Sequence, residues 1–191
     1  EFRKRYLSNP KQPNVFEANA IVFEGPEDYH LRINDENLNI NENSILMIRG
    51  CGPVGYPGSA EVVNMQPPDK LLKKGINTLP TLGDGRQSGT SESPSILNVS
   101  PESAIGGGLL IVETGDKIKI DLNNSRIDLL ISNEEIEKRK KDVKIPKLEN
   151  QTPWQEIARK MVGQLETGAC LETESLYLDI TNTKGIPRHS H

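Results

Sequence analysis

The stretch KIKIDLNNSRIDLLIS at residues 117–132 decides the fold class. Apolar and polar residues alternate on both sides of the tripeptide NNS, and such alternation around a short polar turn is typical of a β-hairpin. The preceding LLIVETGD at 109–116 predicts a further strand and turn. Because the spacing here is that of hairpins rather than of strand–helix–strand units, it favours a mixed α/β domain over a doubly wound parallel sheet.

Toward the N-terminus, three apolar segments alternate with helical ones. ANAIVFEG at 18–25 has the β-branched, apolar character of a strand, and SILMIRG at 44–50 predicts a second, buried strand. LPTLGDG from residue 79 predicts a shorter strand. A helix is predicted after Gly25, with Pro26 near its start, and another over PPDKLLKKGI at 67–76. These elements place strands on both sides of each predicted helix.

The C-terminal third predicts two helices. NEEIEKRKK at 133–141 forms a charged helix with Asn133 as its N-cap. A second helix runs through WQEIARKMVGQLETG at 154–168, with Thr152 as its cap and Pro153 at its first position. Its apolar residues recur at helical spacing and predict a face that packs against the protein body or a partner. They are Trp154, Ile157, Met161, Val162 and Leu165.

These elements divide the chain into three parts. Residues 1–14 are polar, contain two prolines and predict a linker or arm, residues 15–142 form the main domain, and residues 143–191 are a C-terminal helix and tail. The sequence begins at Glu1 and reads like the interior of a longer polypeptide, so we expect it to be a piece of one.

Composition excludes several classes of function. A net charge of -4 gives no attraction for nucleic acid, and aromatic residues at 4% leave few platforms for stacking bases. No apolar run approaches the roughly 20 residues of a membrane helix. Cys51 and Cys170 lack the CxxC spacing of metal sites and predict free thiols in a reducing compartment. We therefore expect a cytoplasmic protein, with a mitochondrial location left open because the native start is missing.

Two glycine-rich segments carry the candidate chemistry. GCGPVGYPGSAEVVN at 50–64 supplies Glu61, and GDGRQSGTSESPSILN at 83–98 supplies Ser88 and Thr90 around Gly89. Glycine permits close backbone approach, so two such loops predict the wall of an active site. Prolines interrupt GCGPVG and exclude the dinucleotide-binding fingerprint, which needs a helix at once. On the residues alone, turn chemistry for the hydroxyls and a surface position for Glu61 remain the simpler interpretations.

Taken together, the two segments resemble the dihydroxyacid dehydratase and sugar-acid dehydratase family. The motifs GPVGYPGSAEV and DGRQSGTS are most similar to the aldonate branch, the L-arabinonate and D-xylonate dehydratases. The ending, with QTPWQEI, VGQLETG and RHSH, is also similar to that branch. The resemblance covers almost the whole chain.

The resemblance implies an architecture and a reaction. This chain resembles the family's C-terminal domain, a swivelling β/β/α barrel-like unit, here with a C-terminal helical extension. In the family it closes over an N-terminal domain that carries an iron–sulfur cluster, [2Fe–2S], and most Mg²⁺ ligands, and the enzymes are dimers or tetramers. The reaction converts a sugar acid into a 2-keto-3-deoxy acid by loss of water. The cysteines here match no cluster motif, so the isolated chain is expected to be inactive.

The resemblance also implies roles for individual residues. Ser88 corresponds to the base, an alkoxide that removes the C2 proton. Ser88, Gly89 and Thr90 correspond to residues that contact the substrate, and Thr90 also orients the serine. Glu61 corresponds to a Mg²⁺ ligand. His191 corresponds to a substrate-binding residue in a tail placed near a neighbouring subunit's active site, and for that tail an exposed, disordered state is equally expected.

Four further residues have weaker expectations. His30 is expected to be structural or solvated. His189 lies in the same tail as His191, and the same two states are expected for it. Asp84 and Arg86 flank the serine loop and are expected to brace it by hydrogen bonds, with substrate contact by Arg86 as the less favoured alternative. Glu92 stands where the aldonate branch has a small residue, and an acid facing the pocket would repel a carboxylate substrate. It bears on which sugar acid is used, not on the type of reaction.

Two other functions remain open. One is the dihydroxyacid dehydratase of branched-chain amino-acid biosynthesis. The other is a non-catalytic assembly module that uses only the face around Trp154. An enzyme needs Glu61, Ser88 and Thr90 to converge on one cleft, whereas an assembly module needs only that helix face to be buried against a partner.

Overall fold

One mixed six-stranded sheet organises the chain. The computed structural model describes residues 2–61, 64–88, 93–172 and 174–185. The strands are β1 (Val15–Phe23), β2 (Ser44–Ile48), β3 (Thr81–Gly83), β4 (Ser95–Ile96), β5 (Lys117–Asp121) and β6 (Arg126–Leu129). The helices are α1 (Pro26–Arg32), α2 (Asp69–Leu72), α3 (Asn133–Asp142), α4 (Pro153–Met161) and α5 (Glu174–Lys184).

The sheet has the order β4-β3-β2-β1-β5-β6 and curls into a half-barrel. Strands β1 to β4 pair in parallel, whereas β5 pairs antiparallel with both β1 and β6. The predicted hairpin is thus confirmed as β5–β6, in the register Ile118 opposite Leu129. A mixed α/β fold is confirmed, with the parallel half built from crossover connections that the hairpin alone did not indicate.

Two apolar layers enclose the sheet. The central strand β2 is buried at every position, as expected for a strand covered on both faces. Its alternate residues Leu46 and Ile48 face one layer, which includes Phe23 and Tyr29, while Ile45 and Met47 face the other. Helix α1 covers the first layer, since its buried Tyr29 packs edge-to-face on Phe23 at 5.4 Å between ring centroids.

The N-terminal arm is attached to this body. Residues Arg3–Leu7 form a short helix whose Tyr6 is buried, 5.4 Å from the ring of Phe16. The Tyr6 hydroxyl also donates to the carbonyl of Glu42. None of the described helices is long and apolar enough to cross a bilayer.

The prediction of a strand at 109–116 is wrong. Residues Gly108–Ile111 form a 3-10 helix that continues into a loop. The Arg49 guanidinium donates to the carbonyls of Leu109, Leu110 and Val112, at 2.8, 2.8 and 2.9 Å. Because the Arg49 side chain donates to these three carbonyls, their hydrogen bonds are satisfied without pairing the segment to a neighbouring strand.

Two helix boundaries also differ from the prediction. Helix α3 begins at Asn133, and its cap is Ser132, whose hydroxyl accepts from the Glu135 amide at 3.2 Å. Thr152 and Pro153 are confirmed at the start of α4, but that helix ends at Met161 rather than near residue 168. Val162 lies beyond the helix and forms an isolated β-bridge with Leu171. The apolar residues predicted to share one helix face are therefore divided between a helix and a loop.

Candidate active site

Both glycine loops begin at the carboxyl ends of neighbouring parallel strands. The first follows β2 at Ile48 and the second follows β3 at Gly83, and these two residues are paired in the sheet. The same edge of an open parallel sheet is where ligands bind in many α/β proteins. Further along, Glu61 and Arg86 form a parallel β-bridge and an ion pair of 2.8 Å. The two loops therefore run side by side and form one wall.

An open cleft of about 590 Å³ lies against this wall. Glu61 and Ser88 line it from the two loops, Tyr29 and His30 line it from α1, and Ile33 lines it from the position after that helix. The remaining lining residues are Asn64 and Gln66. The Tyr29 hydroxyl fixes α1 to the first loop, because it accepts from the Gln66 amide at 2.8 Å and donates to the Gln66 carbonyl at 3.2 Å.

Asp84 holds the beginning of the first loop in place. Its carboxylate is fully buried and accepts from the amides of Gly50 and Cys51, both at 3.0 Å, and from the amide and hydroxyl of Ser103, at 2.9 and 2.6 Å. Buried carboxylates are tolerated when donors surround them. Asp84 thus joins the segment after β3 to the first loop and to the 3-10 helix Ser103–Ile105.

Glu102 performs a similar task for the middle of the first loop. It is also fully buried and accepts from the amides of Val54 and Gly55, at 2.8 and 2.9 Å. The side chain of Gln164 donates to the Glu102 carboxylate at 2.7 Å and accepts from the Glu102 amide at 2.9 Å. Arg159 of α4 donates to the Val54 carbonyl at 3.1 Å. The C-terminal segment therefore supports the loop from behind.

The contact between the two loops leaves no room for a side chain at Gly85. A Cβ atom there would lie 2.6 Å from the Cβ of Cys51. Cys51 itself is completely buried. Burial raises the pKa of its thiol to about 12, and the carboxylates of Asp84, Glu27 and Glu102 act in the same direction. Cys51 is thus a protonated packing residue at neutral pH rather than a thiolate ligand or nucleophile.

The described residues offer an incomplete set of metal ligands. No group of three His, Cys, Asp or Glu side chains comes together among them. The carboxylate of Glu61 is 45% exposed and shares the cleft with the Ser88 hydroxyl, which makes it a hard oxygen donor suited to one position around Mg²⁺. Cys51 is unavailable and Cys170 is an isolated exposed thiol. Among the described residues, Glu61 offers one carboxylate that could bind Mg²⁺, and the two cysteines do not form the ligand set of an iron–sulfur cluster.

The structure brings together two of the residues singled out from sequence. Glu61 and Ser88 line one cleft, and Arg86 braces Glu61. His30, expected to be structural or solvated, is exposed but forms part of the same cleft. Gly89, Thr90, Glu92, His189 and His191 lie outside the described residues.

Three residues that support the site were not singled out from sequence. Glu102, Ser103 and Gln164 hold the first loop through the contacts given above. Glu102 lies in the sequence between Pro101 and the small residues of SAIGGG. An acid among residues typical of a turn is the one sequence signal that pointed to it. Gln164 carries no periodic or spacing signal at all.

Comparison with known proteins identifies the sequence pattern described as dihydroxy-acid/6-phosphogluconate dehydratase C-terminal, which matches residues 5–169. The D-xylonate dehydratase of Caulobacter vibrioides is 62% identical over 192 residues, covering 100% of this chain and 32% of that protein. The L-arabinonate dehydratase of Rhizobium leguminosarum bv. trifolii is 49% identical over 125 residues, covering 65% of this chain and 22% of that protein.

More distant relatives have a different named substrate. The dihydroxy-acid dehydratase of Pyrococcus furiosus is 37% identical over 158 residues, which is 82% of this chain and 28% of that protein. In each comparison the chain spans about a third of the relative's length or less.

Proposed function

Because this chain belongs to the dihydroxy-acid/6-phosphogluconate dehydratase family, as its C-terminal domain, we propose that it supplies the base and one Mg²⁺ ligand of a sugar-acid dehydratase. The observation that carries the proposal is the meeting of Glu61 and Ser88 in one cleft at the carboxyl edge of the parallel strands. The 62% identity to a D-xylonate dehydratase supports an aldonate as the substrate.

In the proposed reaction, Ser88 Oγ removes the proton from C2 of a 2,3-dihydroxy acid. The electron pair left at C2 forms the double bond to C3, while the C3 hydroxyl leaves and is protonated to water. The enol then tautomerises to the 2-keto-3-deoxy acid. When bound, the iron–sulfur cluster and Mg²⁺ supply the Lewis acidity that favours C2 deprotonation and hydroxide departure.

The chain's own residues prepare this step. A serine hydroxyl is a weak base, and a dication held beside it by Glu61 would favour the alkoxide form. Arg86 pairs with the Glu61 carboxylate from the neighbouring loop, and a metal ion bound by Glu61 would compete with this pair. Asp84 and Glu102 fix the backbone of the loops, so that Glu61 and Ser88 keep their separation without reorganising during the reaction. Thr90 and Gly89 are proposed to contact the substrate, with His191 approaching from a tail.

We further propose that this chain works within a longer polypeptide, since it spans 32% of the length of the matched D-xylonate dehydratase. We assign the cluster and the other Mg²⁺ ligands to an N-terminal domain, over which this domain swivels closed, and the active assembly to a dimer or tetramer. The open cleft supports this arrangement, since Glu61 and His30 line it from different parts of the fold and both are exposed to solvent. The isolated chain is expected to be inactive.

The direct test uses the full-length polypeptide with cluster and Mg²⁺ loaded. It is supplied with D-xylonate, L-arabinonate and 2,3-dihydroxyisovalerate, and the 2-keto product is assayed. We expect an aldonate to be preferred, and Ser88→Ala to lower kcat by about 10²–10⁴-fold, the usual contribution of a positioned base. Ser100→Ala, which removes a hydroxyl outside the cleft, is the matched control. Preference for dihydroxyisovalerate would instead favour the branched-chain amino-acid enzyme.

One observation favours a second candidate, the non-catalytic assembly module. Trp154 is 79% exposed and Ile157 47% exposed on α4, a helix with apolar residues on one side. Such a face is commonly covered by a partner. A loaded full-length protein that dehydrates none of the three acids, but loses its oligomeric state on Trp154→Ala, would support this candidate over the enzyme.

A further inference from the structure

We propose that His30 of α1 is a specificity residue that binds the hydroxyl-bearing end of the sugar acid, away from the reacting carbons. This inference rests on the proposed function and adds a contact that the sequence motifs do not contain. It starts from the position of His30, which lines the cleft together with Ser88 and Glu61 although it lies about 30 residues or more from either in the chain.

The fold holds His30 firmly beside the loops. The preceding Tyr29 is buried and bound through its hydroxyl to both polar groups of the Gln66 backbone. The imidazole of His30 packs edge-on against the Tyr29 ring, with 5.1 Å between centroids. A side chain on an anchored helix is placed more accurately than one on a loop tip, as a substrate contact requires.

The chemistry of the ring suits a polyol. Within the described residues, neither ring nitrogen of His30 takes part in a hydrogen bond, so both can serve a ligand. Imidazole offers one donor and one acceptor when neutral, the pair that a hydroxyl group needs. Glu61, the carboxylate that lines the cleft, is acceptor-only when charged.

The residues that line the cleft come from two parts of the fold, the glycine loops and the segment around α1. The carbons that react must lie at the loop side, beside Ser88 and Glu61. A five-carbon aldonate has further hydroxyls beyond C3, and the proposal places them toward His30 and Ile33, which line the cleft from outside the two glycine loops. A short 2,3-dihydroxy acid such as glycerate has no hydroxyl that reaches this side.

The experiment compares these two acids on the full-length, loaded enzyme. His30→Phe keeps an aromatic ring against Tyr29 and removes both nitrogens. We expect its KM for the preferred aldonate to rise about tenfold with kcat nearly unchanged, because losing one hydrogen bond to a substrate hydroxyl costs roughly that factor. The inhibition constant of glycerate should stay within about twofold of wild type. Leu31→Ala, an 82% exposed position on the same helix, is the control.

The outcomes separate this inference from the proposed function. Unchanged kinetics for the aldonate in His30→Phe, with wild-type thermal stability, would overturn the role of His30 and leave the dehydratase assignment intact. An equal loss of affinity for aldonate and glycerate would also overturn it, because His30 would then act at the reacting end. Absence of aldonate dehydration by the wild-type enzyme would instead refute the proposed function.

Discussion

The guanidinium of Arg86 and the carboxylate of Glu61 form an ion pair of 2.8 Å across the two glycine loops. The same residues are paired as a parallel bridge, so backbone and side chains join the loops at one point. Both side chains are about half exposed, and such a pair contributes about 0–1 kcal/mol to stability. The pair matters more for its location than for its energy. The Arg86 guanidinium occupies the carboxylate that a metal ion bound by Glu61 would need.

The first prediction concerns metal affinity. In the full-length protein, Arg86→Met should raise the affinity for Mg²⁺ by about fivefold, because the ion no longer competes with a cation whose pair is worth ~1 kcal/mol. Glu61→Gln should weaken both Mg²⁺ binding and activity. Calorimetric titration of Mg²⁺ measures the affinities without turnover.

Arg86→Lys serves as the control, since it keeps the charge. Weaker Mg²⁺ binding in Arg86→Met would mean that Arg86 positions Glu61 for the metal rather than competing with it. Unchanged titration and turnover in Glu61→Gln would remove that residue from the site.

The second prediction concerns the buried carboxylate of Asp84. Asp84→Asn should lower the free energy of unfolding by about 2–3 kcal/mol, because an amide nitrogen would face amide donors that the carboxylate now satisfies. Urea denaturation measures the loss. Ser103→Ala removes one of the four hydrogen bonds to Asp84, and the Gly50 amide, which also donates to the Ser103 hydroxyl, keeps its bond to Asp84, so this substitution should cost about 1 kcal/mol. Equal effects of the two substitutions would contradict the central role of Asp84.

Much of the fold could be predicted from local sequence patterns. The apolar run of β2, the proline at the start of α1 and the polar turn of the β5–β6 hairpin are short-range signals, and the structure confirms all three. The segment at 109–116 could not be predicted, because its state depends on Arg49, about 60 residues earlier in the chain. Local propensity for a strand loses there to a long-range hydrogen-bond donor.

The candidate site was predictable to a similar degree. Glycine loops with Glu61 and Ser88 stand out in the sequence, and the paired strands beneath them bring these residues to one cleft. The supports behind the loops are different in kind. Glu102 and Gln164 are 62 residues apart and meet only in the folded chain, so no spacing rule identifies them. His30 could be seen in the sequence, but only the packing of Tyr29 shows which way its helix faces.

The third prediction follows from the Cys51 thiol. Its pKa is about 12 in the folded protein, against an ordinary value of 9.0. The unfolded chain therefore releases this proton first as the pH rises, so the stability that the protonated thiol contributes is present below pH 9 and is lost between about pH 9 and pH 12. Urea denaturation at several pH values should show a steeper loss in wild type than in Cys51→Ala.

The same thiol should be protected from alkylation. Iodoacetamide should label only Cys170 in the folded protein, since Cys170 is exposed and Cys51 is buried. Both cysteines should be labelled in urea, as mass spectrometry can count. Labelling of Cys51 at the rate of Cys170 under native conditions would show that the contact with Gly85 opens readily.

The last prediction concerns the support that the C-terminal segment gives to the first glycine loop. Gln164→Ala removes both hydrogen bonds to Glu102 and leaves its buried carboxylate with fewer donors. The amides of Val54 and Gly55 donate hydrogen bonds to Glu102. We expect hydrogen exchange at these two amides to become at least about tenfold faster, because a hydrogen bond to a charged group is worth ~1.5–3 kcal/mol. Hydrogen–deuterium exchange measured on peptides covering the loop tests this.

Glu166→Gln, an exposed position in the same segment, should leave the exchange unchanged. If Gln164→Ala also leaves it unchanged, the loop holds its shape without the C-terminal segment, and the two carboxylates Asp84 and Glu102 suffice to position the wall that carries Glu61.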